Sequence, residues 1–143
     1  MPTDTHRFQI QTQGHNQVLN ITEPVTHATN RSPITDGVVT IFVIGSTAGI
    51  STTEFEPGLA DNDLAAAFEG IAPQEGHYVH EQTWHDDNGH SHVRATLLGP
   101  SITVPIIDGR LTLGTWQQIV LIDFDTRPRQ REIIVQLIGD HST

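Results

Sequence analysis

Hydrophobic and polar residues follow two spacings along this chain, and the spacing changes several times. Apolar residues at every second position, many of them Val or Ile, predict β-strands. Asp-Gly pairs at 36–37 and 108–109 and the Gly14–Asn16 segment predict turns between strands. The predicted strands are HRFQIQTQ, QVLNI, DGVVTIFVIG, STAGISTTEFEP, SITVPII, RLTLGTWQQIVLIDF and REIIVQLIG.

Two segments have the spacing of amphipathic helices. TEPVTHATNRS begins with Thr22 as a candidate cap, and GLADNDLAAAFEGIAP has helically spaced apolar residues and ends near Gly70. The nearly continuous apolar run DGVVTIFVIG predicts a central strand covered on both faces. Strands predominate, with the helices between them. The sequence therefore predicts one α+β domain over residues 1–143, built on a single large, mostly antiparallel sheet with two main helices.

The segment WHDDNGHSHVRATLLGPS holds three histidines and two aspartates around Asn88-Gly89. Asn-Gly favours a tight hairpin turn, since both central residues adopt positive φ. On that hairpin His85, His90 and His92 project from one face, because side chains two apart on a strand share a face. Three imidazoles with one open position are typical of catalytic zinc, with nickel, iron and manganese as other candidates. The alternative is that these histidines hydrogen-bond to aspartates on an exposed hairpin.

Composition narrows the chemistry further. The chain has no cysteine, which excludes thiolate catalysis and thiolate metal ligands. Its formal net charge is −10, and it has neither lysine nor a basic cluster, so nucleic acid and anionic membranes are not expected partners. No apolar run reaches the ~18–20 residues of a membrane span, and the first residues lack a signal-peptide pattern. We expect a soluble cytoplasmic protein.

Three long stretches carry a resemblance to a known family. They are DGVVTIFVIGSTAGISTTEFEPGL, GHSHVRATLLGPSITVPIIDGRLTLGTWQQIVLIDFD and REIIVQLIG. In order and without large gaps, they resemble the YjbQ (UPF0047) family, of secondary thiamine-phosphate synthase type. The resemblance implies an α+β domain that assembles as a homotrimer, with sites near subunit contacts. It also implies a weak ability to make thiamine phosphate from a pyrimidine diphosphate and a thiazole phosphate.

The resemblance also bears on individual residues. It places His92 and His80, the latter in the element Tyr78-Val79-His80, at the expected site, although strict strand alternation puts His80 on the opposite face from His85. Many relatives have a histidine where this chain has Gly45, so the chain resembles a glycine-bearing GSTAG subgroup. With His80 added, the candidate metal ligands are His80, His85, His90 and His92.

Several other polar residues are candidates for binding or catalysis. Glu54 matches the family's acidic element and is a candidate general base, or else part of a solvated strand face. Ser46 and Thr47 lie in a glycine-flanked segment that offers amides and hydroxyls to a phosphate, or simply bends between strands. Arg94 is two residues beyond His92, on the same predicted face, and is a candidate phosphate clamp or the partner of a nearby aspartate.

The GTWQQ segment adds Thr115 and Gln117, which share a strand face and are candidates for binding a polar ligand; the alternative is that this motif serves folding.

Two candidate functions follow from all of these residues together with the family resemblance. The first is a small metal-dependent enzyme acting on a phosphorylated small molecule, with Glu54 and His80 as catalytic residues. The second is a non-catalytic homotrimer that binds a metal or a small metabolite.

Overall fold

The computed structural model describes residues 1–141 and contains two antiparallel sheets and four α-helices. The strands are β1 (Thr3–Thr12), β2 (Gln17–Asn20), β3 (Ile34–Ile44), β4 (Ala48–Glu54), β5 (Ser101–Ile107), β6 (Arg110–Leu111), β7 (Gln117–Asp123) and β8 (Arg129–His141). The helices are α1 (Thr22–Arg31), α2 (Leu64–Ile71), α3 (His80–Trp84) and α4 (Gly89–Leu98), and a π-helical turn (Leu59–Asp63) leads into α2.

The α+β class and the antiparallel pairing are confirmed, but the strands form two sheets rather than one. The larger sheet has the order β1-β8-β3-β5-β6, and the smaller has the order β2-β7-β4. The division arises inside the segment predicted as one long strand, RLTLGTWQQIVLIDF. Its first residues form β6 at the edge of the larger sheet, and its last residues form β7 at the centre of the smaller sheet.

The smaller sheet lies between the larger sheet and two helices. Ile119 and Leu121 of β7 belong to the main core, together with Val39, Ile41 and other apolar residues of the larger sheet. The alternate residues of β7 face the other way, into a second cluster formed with α2, α4 and the π-helical turn. Because both faces of β7 are covered, its sequence is a continuous apolar run.

For β3, the prediction of coverage on both faces is wrong in the described chain. Val39, Ile41 and Val43 are buried in the main core, whereas Phe42 is 39% exposed and Ile44 is 44% exposed. These two residues alternate with the buried ones, so they lie on the outer face of the larger sheet. This sheet therefore presents apolar side chains to its surroundings.

Helix α1 matches its predicted position, but Thr22 does not cap it. The hydroxyl of Thr22 instead accepts a hydrogen bond from the Ile119 amide of β7 at 2.8 Å. The Thr22 amide donates to the side chain of Asn20 at 3.0 Å. Thr22 therefore joins α1 to the smaller sheet. Among residues 1–141, no helix has both the length and the hydropathy that a membrane span requires.

Candidate functional site

The histidine-rich segment forms two helices joined by a short loop, so the predicted hairpin is wrong. Asn88 has φ of −115°, whereas a tight Asn-Gly turn needs a positive value. Asn88 instead immediately precedes α4, and Gly89 is the first residue of that helix. The α-carbon of Gly89 packs closely against the ring of Tyr78, so a side chain at position 89 would collide with it. Tertiary packing thus turns this Asn-Gly pair into a helix start.

The change from strand to helix separates the four predicted metal ligands. Residues two apart on a helix point about 200° apart, so His90 and His92 lie on opposite sides of α4. His92 lies beside His80 of α3, with ring centroids 4.5 Å apart. His90 is buried on the other side, and His85 lines a separate open cleft with Asp86, Asp87 and the Thr126–Arg127 segment.

The structure therefore brings together one histidine pair instead of a four-histidine set. Within residues 1–141, no three His, Cys, Asp or Glu side chains are grouped closely enough to hold a metal ion. The pair does have an acidic neighbour. Nε2 of His80 lies 3.2 Å from a carboxylate oxygen of Asp86 and 3.2 Å from the side-chain amide of Asn88. These contacts fix the orientation of the His80 ring.

A buried polar network lies next to this pair, where β7 ends and β8 begins. Arg131 donates to both oxygens of Asp123, at 2.7 and 3.0 Å, and to the Thr47 hydroxyl at 2.7 Å. Thr47 donates to Asp125 at 3.0 Å, and Arg129 donates to Asp125 at 2.8 Å. Both carboxylates are fully buried. This network pairs two acidic residues with two arginines across the β7–β8 connection.

One contact joins the network to the histidine pair, and a second joins it to the loop between α3 and α4. Asp125 accepts a hydrogen bond from the side chain of Asn88 at 3.4 Å, and Asn88 in turn contacts His80. Thr126 donates to Asp87 at 2.7 Å. We call the whole arrangement the polar end of the sheets. Its members are Gly45, Ser46, Thr47, His80, Asp86, Asn88, His92, Asp123, Asp125, Arg129 and Arg131.

Gly45 lies next to the guanidinium group of Arg131 at the polar end. It has φ of 142°, a backbone conformation that L side chains rarely adopt. A β-carbon placed on it would lie 2.7 Å from Nη1 of Arg131. A side chain at position 45 would therefore collide with this guanidinium nitrogen.

The other predicted site residues are not at the polar end. Strand pairing sets Ala48 opposite Asp123 and Glu54 opposite Gln117. Glu54 and Gln117 therefore lie about 20 Å along the strands from the network. Thr115 is exposed in the loop before β7. Gln117 accepts from the Gly114 amide and donates to Thr52, both at 3.0 Å, contacts that stabilise the loop.

Arg94 is not on the same face as His92, contrary to the prediction. It lies two residues further along α4 and is 5% exposed. Its Nε donates to the carbonyl of Ala72 at 2.9 Å, and its Nη2 donates to Glu69 at 2.7 Å. Arg94 therefore fastens α4 to the end of α2. Of the predicted phosphate-binding residues, Ser46 and Thr47 are at the polar end, where Ser46 is exposed and Thr47 is buried.

Sequence reasoning missed Asn88 as a site residue and all four charged residues of the network. In the sequence, Asp123 ends a predicted strand, Asp125 and Arg129 fall in the polar loop DTRPRQ, and Arg131 begins the last predicted strand, REIIVQLIG. A signal was present, because Asp123 and Asp125 are two residues apart, as are Arg129 and Arg131. On adjoining strands this spacing predicts two acidic and two basic side chains on matching faces.

The burial of Asp125 leads to a prediction about pH. Burial raises the pKa of this carboxyl, but hydrogen bonds from the Thr126 amide, Arg129, Thr47 and Asn88 outweigh that effect and lower the pKa to about 2. Since the ordinary value is 3.8, ionised Asp125 stabilises the fold above that pH. This stabilisation is lost as the pH falls from about 4 towards 2. Urea titrations at decreasing pH should show the loss.

The matched variant for this prediction is Asp125→Asn, which keeps the shape of the side chain and removes its titration. We expect the variant to be less stable than the wild type at neutral pH and to approach it at low pH. A difference between the two proteins that stays constant down to about pH 2 would contradict the assignment.

The fold and the polar end together define a class of protein: a small α+β domain of two antiparallel sheets, with buried acid–arginine pairs where β7 passes to β8 and a histidine pair beside them. The chain belongs to the UPF0047 protein YjbQ-like family, whose sequence model matches residues 6–140. The resemblance noted in the sequence is thus confirmed.

Individual relatives agree with this assignment. A UPF0047 protein of Methanothermobacter thermautotrophicus is 36% identical over 139 residues, which cover 97% of this chain and 94% of the relative. The crystal structure of a YbjQ-like protein of unknown function from Sulfolobus solfataricus matches with a TM-score of 0.86 and 30% identity, covering 97% of this chain and 100% of that one. A hypothetical protein of Aeropyrum pernix matches with a TM-score of 0.88 and 29% identity, covering 96% and 99%. The family is one of unknown function.

Proposed function

We propose that the polar end binds a phosphorylated small molecule and that the protein is a small enzyme acting on it. The observation that carries this proposal is the position of Arg131. Within residues 1–141 its Nη1 donates no hydrogen bond, and this nitrogen lies against the exposed Gly45, which has no side chain to cover it. A guanidinium group with free donors, next to an exposed glycine–serine segment, suits a phosphate oxygen. Arg131 thus takes the role that the sequence suggested for Arg94.

The histidine pair supplies the second part of the proposed site. His80 contacts the Asp86 carboxylate at 3.2 Å, which orients its ring, and His92 lies beside it. A histidine held in this way can donate a proton to a leaving oxygen or accept one from an attacking group. In this proposal Arg131 holds the phosphate charge and His80 moves the proton. Glu54 is too far along the sheet to act with them in the same subunit.

A divalent metal ion, with zinc as the first candidate, fits this chain only in part. The two imidazoles of His80 and His92 are suitable donors, but no third side chain among residues 1–141 completes the set. The remaining ligands would have to be water, the phosphate of the bound molecule or a residue of a second subunit. When bound, the ion would supply stabilisation of negative charge on the phosphate oxygens.

We further propose that the chain forms a homotrimer. The exposed apolar residues on the outer face of the larger sheet, Phe42, Ile44 and Ile138, support a subunit contact there. A second candidate function follows from the same structure: a non-catalytic trimer that holds a metal or a phosphorylated metabolite. The buried acid–arginine network makes the polar end rigid, and this rigidity favours a binding protein over an enzyme.

The experiment compares wild-type protein, His92→Ala and His85→Ala, all purified without a histidine tag. Elemental analysis measures bound metal, and calorimetry measures binding of inorganic pyrophosphate. We expect His92→Ala to lose metal, while His85→Ala keeps it, because His85 lies outside the pair. Equal metal loss in both variants would contradict the proposed pair and would instead favour a metal site that includes His85.

Turnover separates the two candidate functions. A pyrimidine diphosphate is supplied with a thiazole phosphate, and thiamine phosphate and released diphosphate are measured with and without a chelator. Formation of the new carbon–nitrogen bond with loss of diphosphate, abolished in His92→Ala, would support an enzyme with a thiamine-phosphate synthase-like activity. Pyrophosphate binding without turnover on this or other phosphorylated substrates would favour the binding protein. Absence of pyrophosphate binding would contradict both.

A further inference from the structure

A second cleft lies on the opposite side of α4 from the His80–His92 pair. It has a volume of about 390 Å³ and is bordered by the turn between β1 and β2, by α2 with the π-helical turn, and by α4. The lining residues that matter here are Asn16, Asp61, Asn62, Glu69, His90 and Arg94. We call it the Asn16 cleft. The polar end does not include it, although two of its residues, His90 and Arg94, were site candidates from the sequence.

Two buried side chains that line this cleft have polar atoms without partners. Asn16 is 7% exposed, and within residues 1–141 neither its side-chain oxygen nor its side-chain nitrogen makes a hydrogen bond. His90 is 2% exposed, and its Nδ1 is likewise unpaired in the described chain. Buried polar atoms are nearly always hydrogen-bonded, because leaving them unpaired costs free energy. Three such atoms at one cleft therefore call for an explanation.

The local backbone does not provide that explanation. The Gln17 amide donates to the Gly14 carbonyl at 3.1 Å, and the two residues between them have positive φ, 55° at His15 and 66° at Asn16. Glycine suits such positions at least as well as asparagine and has no side chain to bury. The turn thus accounts for the conformation of Asn16 but leaves its buried amide unexplained.

The tautomer of His90 follows from its neighbour Ser91. The Ser91 hydroxyl has one proton, which it donates to the carbonyl of Phe124. Ser91 Oγ can then only accept from Nε2 of His90, 3.4 Å away, so Nε2 carries the ring proton. Nδ1 of His90 is therefore an acceptor that lacks a donor.

The charges around the cleft limit what can enter it. Arg94 is paired with Glu69 at 2.7 Å, which leaves the Asp61 carboxylate as the charge not offset within this set. An anionic ligand would be repelled by Asp61 and by the net charge of −10. To be satisfied, the unpaired atoms need two hydrogen-bond donors, one for Nδ1 of His90 and one for the Asn16 oxygen, and one acceptor for the Asn16 nitrogen.

We propose that the Asn16 cleft binds a small uncharged molecule whose edge carries an N–H group next to a carbonyl and which has a second N–H, as in a primary amide or a nucleobase. Such an edge forms two complementary hydrogen bonds with an asparagine side chain, in the way that asparagine reads base edges. A further N–H of the ligand pairs with Nδ1 of His90. The unpaired atoms are closed off from bulk water, so binding requires neighbouring side chains to shift.

The test uses uracil as the probe and 1,3-dimethyluracil as its matched control, since the methyl groups remove both N–H donors and keep the ring. Nuclear magnetic resonance of ¹⁵N-labelled protein follows the side-chain amide of Asn16 and the ring nitrogens of His90 during titration. We expect uracil to produce saturable shifts at both residues and dimethyluracil to produce none. Absence of saturable shifts with uracil, or equal shifts with both compounds, would overturn the proposal.

Two variants check that the Asn16 amide is the group responsible. Asn16→Asp keeps the size of the side chain but removes its donor, and Asn62→Asp adds the same charge at an exposed position of the same cleft. We expect Asn16→Asp to weaken uracil binding at least about tenfold and Asn62→Asp to change it little. Equal weakening by both would mean that charge alone acts, which contradicts the proposal. Should Asn16→Asp fail to fold, the His90 ring signals of the wild-type protein still decide the matter.

Discussion

Replacing Arg131 with methionine is expected to lower the free energy of unfolding by about 3–5 kcal/mol, the range for breaking one side of a buried ion pair. Arg131 is 6% exposed and donates two hydrogen bonds to Asp123, which is fully buried. Methionine fills similar volume but leaves the Asp123 carboxylate with two donors, the Thr12 hydroxyl at 2.6 Å and the Asp125 amide at 3.0 Å, and without a facing cation. Urea denaturation at neutral pH measures the difference.

Arg7→Met is the matched control for this prediction. Arg7 also pairs with a carboxylate, Glu132, at 3.0 Å, but its side chain is 60% exposed. Exposed pairs contribute about 0–1 kcal/mol, so this variant should remain close to the wild type. If Arg131→Met were as stable as Arg7→Met, the buried carboxylates would not depend on Arg131, and the proposed phosphate site would lose its fixed guanidinium.

Most of the fold could be predicted from the sequence because its strands obey simple alternation. In β8, Ile133, Val135 and Leu137 are fully buried, and the residues between them are more exposed. That pattern is visible in the sequence and fixes which face of the strand meets the core.

The division of the strands into two sheets could not be predicted from alternation. Alternation within β6 and β7 says nothing about which neighbour each strand pairs with, and that choice depends on packing across the whole domain.

The histidine-rich segment was misread because the side chains that α4 buries are partly polar. Ser91, Arg94, Ala95 and Leu98 follow the three- and four-residue spacing of a helix face, but two of them are not hydrophobic. Hydropathy therefore does not reveal the helix. The Asn-Gly rule is local, and the packing of Gly89 against Tyr78 overrides it. The pairing of His80 with His92 depends on this packing.

The polar end was partly within reach of the sequence. Ser46, Thr47, His80 and His92 were candidates and lie there. The family resemblance supplied His80 and supported His92, whereas Ser46 and Thr47 were proposed from their glycine-flanked segment. The charged residues were missed because β7 and β8 belong to different sheets, so that Asp123 and Arg131 meet between layers. A single sequence contains no information on contacts of that kind, apart from the matched spacing of the acidic and basic pairs.

Phe124→Ala is expected to destabilise the fold by about 3–5 kcal/mol, the usual cost of removing a buried phenylalanine ring. Phe124 is fully buried, and its ring meets that of Phe68 in α2 edge to face, with centroids 4.8 Å apart. Its backbone also matters, since its amide donates to Thr47 at 2.9 Å and its carbonyl accepts from Ser91 of α4. The ring thus holds both helices against the smaller sheet.

Because the two helices rest on this ring, the loss should be uneven across the molecule. Hydrogen exchange should show α2 and α4 losing more protection than β3 and β8, which belong to the main core and do not contact Phe124 within the same cluster. Phe55→Ala removes the same ring from a site that is 44% exposed and should cost less than about 1 kcal/mol.

Since α4 carries His92 on one side and His90 on the other, a loosened α4 in Phe124→Ala should weaken pyrophosphate binding at the polar end and uracil binding at the Asn16 cleft together. A variant that lost one and kept the other would show that the two sites do not share this helix as their support.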